Sequence, residues 1–241
     1  MVFLDFDGVL FNTVREAYAV AMISTEKFDT IKSINFNSDH YIRFERYRYL
    51  IGPAWNYKYI LESLIYYNED AIEKNYKLLI EKARVEDYES FEKSFFDTRR
   101  RLQDNSFQRW LELNTSYPFL HLIKELLIAK GENFLIVTTK DKDTVQRLLQ
   151  LEDIDFSKKD IYDKCDFEKY KNKFNIINKL MTEKEITNAI FIDDSRKHLE
   201  SCSGIKRLKL LQANWGYIGS KDFDTYSDVE IFKKILKEGA N

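Results

Sequence analysis

The stretch VFLDFDGVL, residues 2–10, decides the fold. Its short apolar run, Val2 to Phe6, predicts a buried strand, and Asp5 and Asp7 fall where a parallel strand meets its loop. Residues two apart on an extended strand point to the same side, so both carboxylates can face one ligand. Gly8 then lets the chain turn away sharply. Such a strand end is where parallel sheets bind their ligands.

Three further apolar runs have the composition of buried parallel strands. They are Phe134 to Thr138, Ala189 to Ile192 and Leu208 to Leu211. Amphipathic segments between them predict helices over Pro118 to Lys130, Asp143 to Leu151 and Phe174 to Met181. Because strands and helices alternate, we predict an α/β fold built on a doubly wound, Rossmann-like parallel sheet.

Residues 14–115 differ from the rest, because they show helical periodicity, almost no strand signal and one strong break at Gly52-Pro53. The predicted helices run over Arg15 to Phe28, Asp39 to Ile51, Trp55 to Tyr67, Glu69 to Ala83 and Tyr88 to Leu113. We therefore predict two domains, an α/β core formed by residues 1–14 plus 116–241 and an α-helical insertion at 15–115.

The composition is that of an ordinary folded protein, with 44% hydrophobic residues and a net charge of -2 from 38 basic and 40 acidic side chains. This balance does not favour a nucleic-acid partner. No apolar window approaches the length of a membrane span, and no signal-peptide pattern opens the chain, so we expect no membrane partner. The two cysteines, Cys165 and Cys202, have no paired spacing, which favours a reducing, cytoplasmic location.

A second acidic pair, Asp193-Asp194, follows the predicted strand Ala189 to Ile192. It would lie at the same sheet edge as Asp5 and Asp7, and carboxylates so close together repel one another unless a cation separates them. Carboxylate oxygens suit Mg²⁺, whereas zinc prefers histidine or cysteine, and the three histidines are scattered along the chain. The sequence therefore predicts a magnesium site.

Polar residues follow another predicted strand at the same edge. Thr138 and Thr139 end the run that starts at Phe134, and a hydroxyl there can hydrogen-bond a phosphoryl oxygen. Lys171 and Lys173 stand just before the next helix, so either ammonium group could balance the carboxylates. Spacing does not choose between these two lysines.

Together, these elements resemble the haloacid dehalogenase superfamily, most of whose members are phosphatases. The resemblance rests on DFDGVLFNT at residues 5–13, a threonine ending the second strand, a lysine, and an acidic pair after a later strand. The elements occur in the family's order. The resemblance covers residues 1–14 and about 116–225, and it implies a phosphatase of small phosphorylated metabolites.

The resemblance also implies roles for the acids. Asp5 would attack phosphorus to form an aspartyl-phosphate, and Asp7 would protonate the leaving oxygen and later activate water. Asp5, Asp194 and the backbone carbonyl of Asp7 would hold Mg²⁺, while Asp193 would bind it through water or orient Asp194. His198 stands where the family usually has a further aspartate. The presence of Asp7 favours phosphoryl transfer over dehalogenation.

An insertion between the first and second motifs is, in this family, a helical cap that selects the substrate. We hypothesise that the break at residues 52–56, GPAWN, faces the substrate through Trp55 and Asn56, helped by Arg46 or Arg48.

The substrate class remains open at this level. Gly8 and Thr139 are further candidate substrate contacts, and phosphoglycolate-like, sugar-phosphate and nucleotide substrates all remain open. A phosphomutase and a non-catalytic phosphate-binding or regulatory homologue are the alternatives to a phosphatase.

Overall fold

The computed structural model describes residues 1–219 and 224–239, and the chain divides into two units. One unit, called here the α/β unit, comprises Met1–Asn12 and Ser116–Asn241. The other, the helical unit, comprises Thr13–Thr115. Residues 220–223 and 240–241 of the predicted core lie outside the described residues.

The strands are short, as expected for a parallel sheet buried by helices. In the described part of the chain they are β1 Val2–Leu4, β2 Phe11–Asn12, β3 Thr115–Ser116, β4 Phe134–Val137, β5 Ile161–Tyr162, β6 Ala189–Asp193, β7 Leu208–Ala213 and β8 Thr225–Tyr226.

The α-helices follow the predicted periodicity. Those of the helical unit are α1 Val14–Ser24, α2 Asp39–Arg46, α3 Asn56–Tyr66, α4 Glu69–Lys82, α5 Val85–Asn105 and α6 Phe107–Leu111. Those of the α/β unit are α7 Pro118–Ala129, α8 Lys142–Leu151, α9 Lys164–Tyr170, α10 Lys173–Glu183, α11 Arg196–Ser201 and α12 Asp228–Lys234, which continues as a π-helical turn over Ile235–Gly239.

Six strands form one parallel sheet in the order β5-β4-β1-β6-β7-β8. The central strand β1 pairs with β4 and β6, and Leu4 lies beside Ile136 and Ile192. The predicted Rossmann-like α/β fold with a helical insertion is confirmed. This register brings the residues that follow β1, β4 and β6 to the same edge of the sheet, which is the edge that carries the candidate site.

Local sequence signals explain how the helices of the α/β unit begin. Pro118 occupies the first turn of α7, where its missing N–H costs no hydrogen bond. Asp141 and Asp163 precede α8 and α9 and accept hydrogen bonds from the backbone N–H groups of Thr144 and Cys165. Asp163 also accepts from the backbone N–H of Lys142, so one buried carboxylate connects the starts of both helices.

The predicted elements differ from the structure mainly where they were long. The helix predicted over Asp39 to Ile51 ends at Arg46 and is followed by a 3-10 turn at Arg48–Leu50. The helix predicted over Tyr88 to Leu113 starts earlier and is interrupted after Asn105. The two-residue strands were not predicted, because an apolar period of two cannot be recognised over so few residues.

None of the described helices is long and apolar enough to cross a membrane. Both cysteines are free thiols; Cys165 is exposed and Cys202 is buried.

Candidate active site

Three buried carboxylates lie at the ends of the central strands. Asp5 follows β1, Asp193 ends β6, and Asp194 follows it; the three are 7%, 0% and 4% exposed. The backbone N–H of Asp5 donates to the carbonyl of Ile192 over 2.9 Å, which ties the end of β1 to β6. The Oδ1 atom of Asp5 accepts from the backbone N–H of Phe6 at 2.8 Å, so the backbone orients this carboxylate.

Lys173 supplies the counter-charge within this group. Its Nζ lies 2.9 Å from Oδ2 of Asp5 and 2.6 Å from Oδ2 of Asp193, and its side chain is 1% exposed. Lys173 is the first residue of α10, behind the N-cap Asn172. Lys171 is exposed and ends α9 with a φ of 77°. Of the two predicted lysines, the structure therefore brings Lys173, and not Lys171, to the carboxylates.

Burial and charge act together on the pKa values here. Burial, and then the negative charge of Asp193, raise the pKa of Asp5 from 3.8 to about 6, although Lys173 opposes them. Burial also acts to raise the pKa of Asp193, but Lys173 and His198 outweigh it, so that pKa lies below its usual value. The pKa of Lys173 is raised, because its two carboxylates outweigh the effect of burial.

Asp7 has a different partner from Asp5. Its Oδ1 and Oδ2 lie 3.1 and 3.5 Å from Nζ of Lys140, a residue only 3% exposed. The two carboxylates that follow β1 are thus each paired with an ammonium group from a different segment. Asp7 is half-buried, so its carboxylate is the more accessible of the two.

Gly8 is required by both backbone and space. Its φ of +85° lies in the region that side chains disfavour, and a Cβ atom there would overlap the carboxylate of Asp194. The turn after β1 therefore lies directly against Asp194. Oδ2 of Asp194 accepts a 2.6 Å hydrogen bond from the backbone N–H of Tyr217.

Thr138 lies at the end of β4, as predicted, and is 1% exposed. Its backbone N–H donates to the carbonyl of Tyr162, and its Oγ1 accepts from the backbone N–H of Lys140 at 3.2 Å. Thr139 is half-buried beside it. The hydroxyl of Thr138 therefore helps to shape the turn that carries Lys140.

The charges and donors of this region fit a divalent metal. Ligand atoms of Asp5, Asp193 and His198 lie within 4.8 Å of one another, and Nδ1 of His198 is 3.2 Å from Asp193. Lys173 contacts both of these carboxylates, so an ammonium group already neutralises part of that set.

The charges among the described residues also fit a divalent cation. The carboxylates at residues 5, 7, 193 and 194 lie with the ammonium groups of Lys140 and Lys173, and these two positive charges do not balance four negative ones. A divalent cation would offset the remaining negative charge.

The predicted substrate residues of the insertion lie in the helical unit and make contacts within it. Arg46 is exposed and pairs with Glu69 at 3.1 Å, whereas Arg48 is buried and donates to the carbonyl of Ile51. The other two residues also have partners there: the ring of Trp55 stacks on that of Tyr88 at 4.2 Å, and Oδ1 of Asn56 accepts from the backbone N–H of Gly52 at 3.0 Å. Their contact with substrate stays a prediction.

Sequence reasoning did not assign Lys140, His198 or Tyr217 to the site, although it noted that His198 replaces a family aspartate. Lys140 follows Thr138 by two residues at the same strand end, and this position was the available signal. His198 lies in the first turn after the acidic pair. The sequence around Tyr217 carries only a Trp-Gly pair, one residue after the end of β7, which is a weak signal.

The comparisons with known proteins agree with this geometry. The family model of haloacid dehalogenase-like hydrolases matches residues 1–203. The match spans most of the chain, and the chain therefore belongs to this family. The predicted family and the predicted enzyme class, a hydrolase, are confirmed. No curated protein gives a significant match.

Solved structures with the same fold cover nearly the whole chain. A protein described as a predicted phosphoglycolate phosphatase from Haemophilus somnus is similar with a TM-score of 0.61 and 17% identity, over 98% of this chain and 96% of its own. A protein described as a predicted phosphatase from Clostridium acetobutylicum has a TM-score of 0.57 and 18% identity, over 98% and 97%. A haloacid dehalogenase-like family hydrolase from Streptococcus pneumoniae has a TM-score of 0.56 and 16% identity, over 97% of each chain. At such identities, the likeness establishes the fold.

Proposed function

We propose that the chain is a Mg²⁺-dependent phosphatase that hydrolyses a small phosphomonoester through an aspartyl-phosphate on Asp5. One observation carries the proposal: the paired ends of β1 and β6 bring four carboxylates together with two ammonium groups at one edge of a parallel sheet. The phosphatase descriptions of two structural relatives support the same reaction class.

Asp5 is the proposed nucleophile. Its carboxylate is oriented by the backbone N–H of Phe6 and by the ammonium group of Lys173, so little rotational freedom is lost when it attacks phosphorus. With a pKa of about 6, it is deprotonated at neutral pH, as a nucleophile must be. The ammonium group of Lys173 offsets the repulsion between the negative charges of Asp5 and Asp193, and it can also attract a phosphate dianion.

Asp7 is the proposed general acid and base. It lies two residues beyond Asp5 and is the more accessible of the two. Its carboxyl group can therefore donate a proton to the leaving oxygen, and the resulting carboxylate can then take a proton from the attacking water molecule. Lys140, through its contact with both oxygens of Asp7, would hold this carboxylate in place. Thr138 supports that arrangement through the turn it shares with Lys140.

Mg²⁺ would neutralise the phosphate and let an anionic nucleophile approach it. Asp194 and the backbone carbonyl of Asp7, together with Asp5, would hold the ion. The carboxylate of Asp193 contacts Lys173 and His198. Its proposed role is therefore to orient these two neighbours rather than to bind the metal directly. The proposed substrate is a small phosphorylated metabolite.

The test is release of inorganic phosphate from a panel of phosphoglycolate, sugar phosphates, nucleoside monophosphates and an aryl phosphate, with Mg²⁺ and with EDTA. We expect Mg²⁺-dependent release, lost in EDTA. Asp5→Asn should lower kcat at least about a thousandfold, because the nucleophile is gone. Asp7→Asn should lower it by about a hundredfold or more.

Asp97→Asn is the matched control, because it alters an exposed aspartate of the helical unit that pairs with Lys93 at the surface. It should keep the parent rate. Parental turnover by Asp5→Asn would refute the nucleophile assignment, and no phosphate release from any ester would refute the function. Isomerised sugar phosphate without free phosphate would instead identify a phosphomutase.

A further inference from the structure

The segment that follows β7, residues 214–218, reaches back to the candidate active site. We call it the post-β7 loop. It lies beyond residue 203, where the family match ends, and none of its residues belongs to the predicted catalytic or metal set. Four separate contacts nevertheless join it to Asp194 and to residues 8, 9 and 12, which follow β1.

The first contact is to the carboxylate of Asp194. The backbone N–H of Tyr217 donates to Oδ2 of Asp194 over 2.6 Å. At the end of β7, Nε2 of Gln212 donates to the backbone carbonyl of Asp194 over 2.8 Å. Asp194 is thus held at its side chain by a group of the loop and at its backbone by a residue just before the loop. A carboxylate held in this way presents its remaining electron pairs in a defined direction.

The second contact depends on Gly216. A Cβ atom at this position would overlap the backbone carbonyl oxygen of Gly8 and the Cβ of Asp194, and it would lie 2.9 Å from Oδ2 of Asp194. Both of the nearest obstacles are rigid parts of the chain, so they cannot rotate away. Only glycine lets the loop approach the turn after β1 and Asp194 at the same time.

The other two contacts reach residues that follow Gly8 in the chain. Nε1 of Trp215 donates to the carbonyl of Val9 over 3.0 Å, and its ring packs on that of Phe119 with centroids 4.9 Å apart. The hydroxyl of Tyr217 hydrogen-bonds Oδ1 of Asn12 at 3.2 Å. The loop therefore contacts the chain at two further points just beyond Gly8, at Val9 and at Asn12.

We propose that the post-β7 loop is the positioning element of the metal site, with Trp215, Gly216 and Tyr217 setting the distance between Asp194 and the turn that carries Asp7 and Gly8. This inference rests on the proposed function, because it concerns the carboxylate that would hold Mg²⁺. None of the three residues is a proposed ligand; they act through Asp194 and through the backbone of the turn.

Gly216→Ala tests the proposal. We expect the substitution to weaken Mg²⁺ binding by about tenfold or more, the usual effect of disturbing a group that orients a ligand. Calorimetric titration of the EDTA-treated protein with Mg²⁺ measures this without any turnover. In steady-state kinetics, the Mg²⁺ concentration that gives half-maximal activity should rise, and kcat should recover at high Mg²⁺. A general loss of folding would not be reversed by Mg²⁺ in this way.

Gly204→Ala is the matched control, because the nearest atom to a Cβ there is a ring carbon of Phe174 at an ordinary 3.7 Å. It should bind Mg²⁺ as the parent does. If Gly216→Ala fails to fold, Trp215→Phe replaces it, since this variant keeps an aromatic ring but loses the N–H that reaches Val9, and weaker Mg²⁺ binding is again expected.

Parental Mg²⁺ affinity in Gly216→Ala, or in Trp215→Phe where that variant replaces it, overturns the positioning role. Absence of Mg²⁺ binding by the parent protein is a different result: it contradicts the metal dependence in the proposed function, and the positioning role falls with it.

Discussion

Asp5 and Asp7 are two residues apart and yet differ in environment. Asp5 is buried against Lys173 and close to a second acid, whereas Asp7 is partly exposed and paired with Lys140. Such a difference suits a division of labour, with a buried nucleophile and a more accessible proton carrier. Each role leads to a measurable consequence at the level of a single side chain.

The raised pKa of Asp5 predicts how pH affects stability without metal. A carboxyl group whose pKa is about 6 when folded and 3.8 when unfolded binds its proton more tightly in the folded protein. The contribution of Asp5 to folding stability therefore falls as the pH rises from about 4 to about 6, and the loss persists above that range. Asp5→Asn removes this loss. In EDTA, we therefore expect the free energy of unfolding of the variant minus that of the parent to be about 3 kcal/mol higher at about pH 7 than at about pH 4.

Urea unfolding of both proteins across this pH range measures the effect. Asp97→Asn is the control, since the hydrogen bond from Lys93 lowers the pKa of this carboxylate and its own effect on stability therefore falls below about pH 4. A constant difference between Asp5→Asn and the parent at all pH values would contradict the raised pKa.

The contact of Lys140 with Asp7 predicts an effect that depends on the leaving group. If Lys140 holds Asp7 for proton donation, Lys140→Met should slow the hydrolysis of alkyl phosphates, whose poor leaving groups need a proton. Aryl phosphates with good leaving groups need little protonation and should be affected much less. We expect the kcat/KM for alkyl phosphates, divided by that for aryl phosphates, to fall by about tenfold or more in the variant.

A double-mutant comparison makes this test specific. In an Asp7→Asn background, Lys140→Met should add little further loss, because the group it positions is already absent. Lys142→Met, at the start of α8, is the control. Equal losses on both kinds of ester, or full additivity with Asp7→Asn, would rule out the positioning role of Lys140.

Between elements, the decisive fact is the register of β1 against β6. Pairing of Leu4 with Ile192 brings Asp5 level with Asp193, and a slip of one residue would turn one acid away from the other. The first turn of α10 adds Lys173, and the loop after β7 adds the backbone N–H of Tyr217. The site is thus assembled from the ends of elements, each positioned by rigid neighbours.

The predicted break at residues 52–56 also lies between two elements. It separates the 3-10 turn at Arg48–Leu50 from α3, and Oδ1 of Asn56 closes it by accepting from the backbone N–H of Gly52. Asn56 is buried and Trp55 is stacked on Tyr88, so both have structural roles in the helical unit. Selection of the substrate by this segment stays a prediction.

In the whole molecule, the helical unit has its own buried charged cluster. Glu16, fully buried in α1, accepts from Nε and Nη2 of Arg99 in α5 at 2.6 and 2.9 Å, and from Nε1 of Trp110 at 3.2 Å. The guanidinium of Arg99 also lies 4.8 Å from the ring centre of Phe95. Such a cluster joins the first and the last long helices of the insertion.

Breaking this cluster predicts a large loss of stability. Glu16→Gln keeps the shape but leaves a buried guanidinium without its counter-charge, which costs about 3–5 kcal/mol. Urea unfolding of the full chain, followed by circular dichroism, measures it. Asp97→Asn, which breaks an exposed pair on the same helix α5, should leave the midpoint unchanged. Equal midpoints for Glu16→Gln and the parent would contradict the structural role of the cluster.

Much of the fold and part of the site could be predicted from local sequence, because the signals are local. An apolar run followed by acids is typical of a strand end, and helical periodicity over 100 residues indicates an insertion. These signals correctly predicted the parallel sheet and the shared edge where Asp5 and Asp193 lie. They do not specify which long side chains meet across that edge.

The sequence by itself determined the α/β class, the helical insertion and the family, since each depends on short motifs and periodic patterns that can be recognised one by one along the chain. Only the tertiary structure decided between Lys171 and Lys173, paired Lys140 with Asp7, and brought the post-β7 loop against Asp194. The physical reason is that these contacts join segments far apart in sequence. Their partners are selected by strand register and by the space that Gly8 and Gly216 leave open, and neither produces a periodic pattern along the chain.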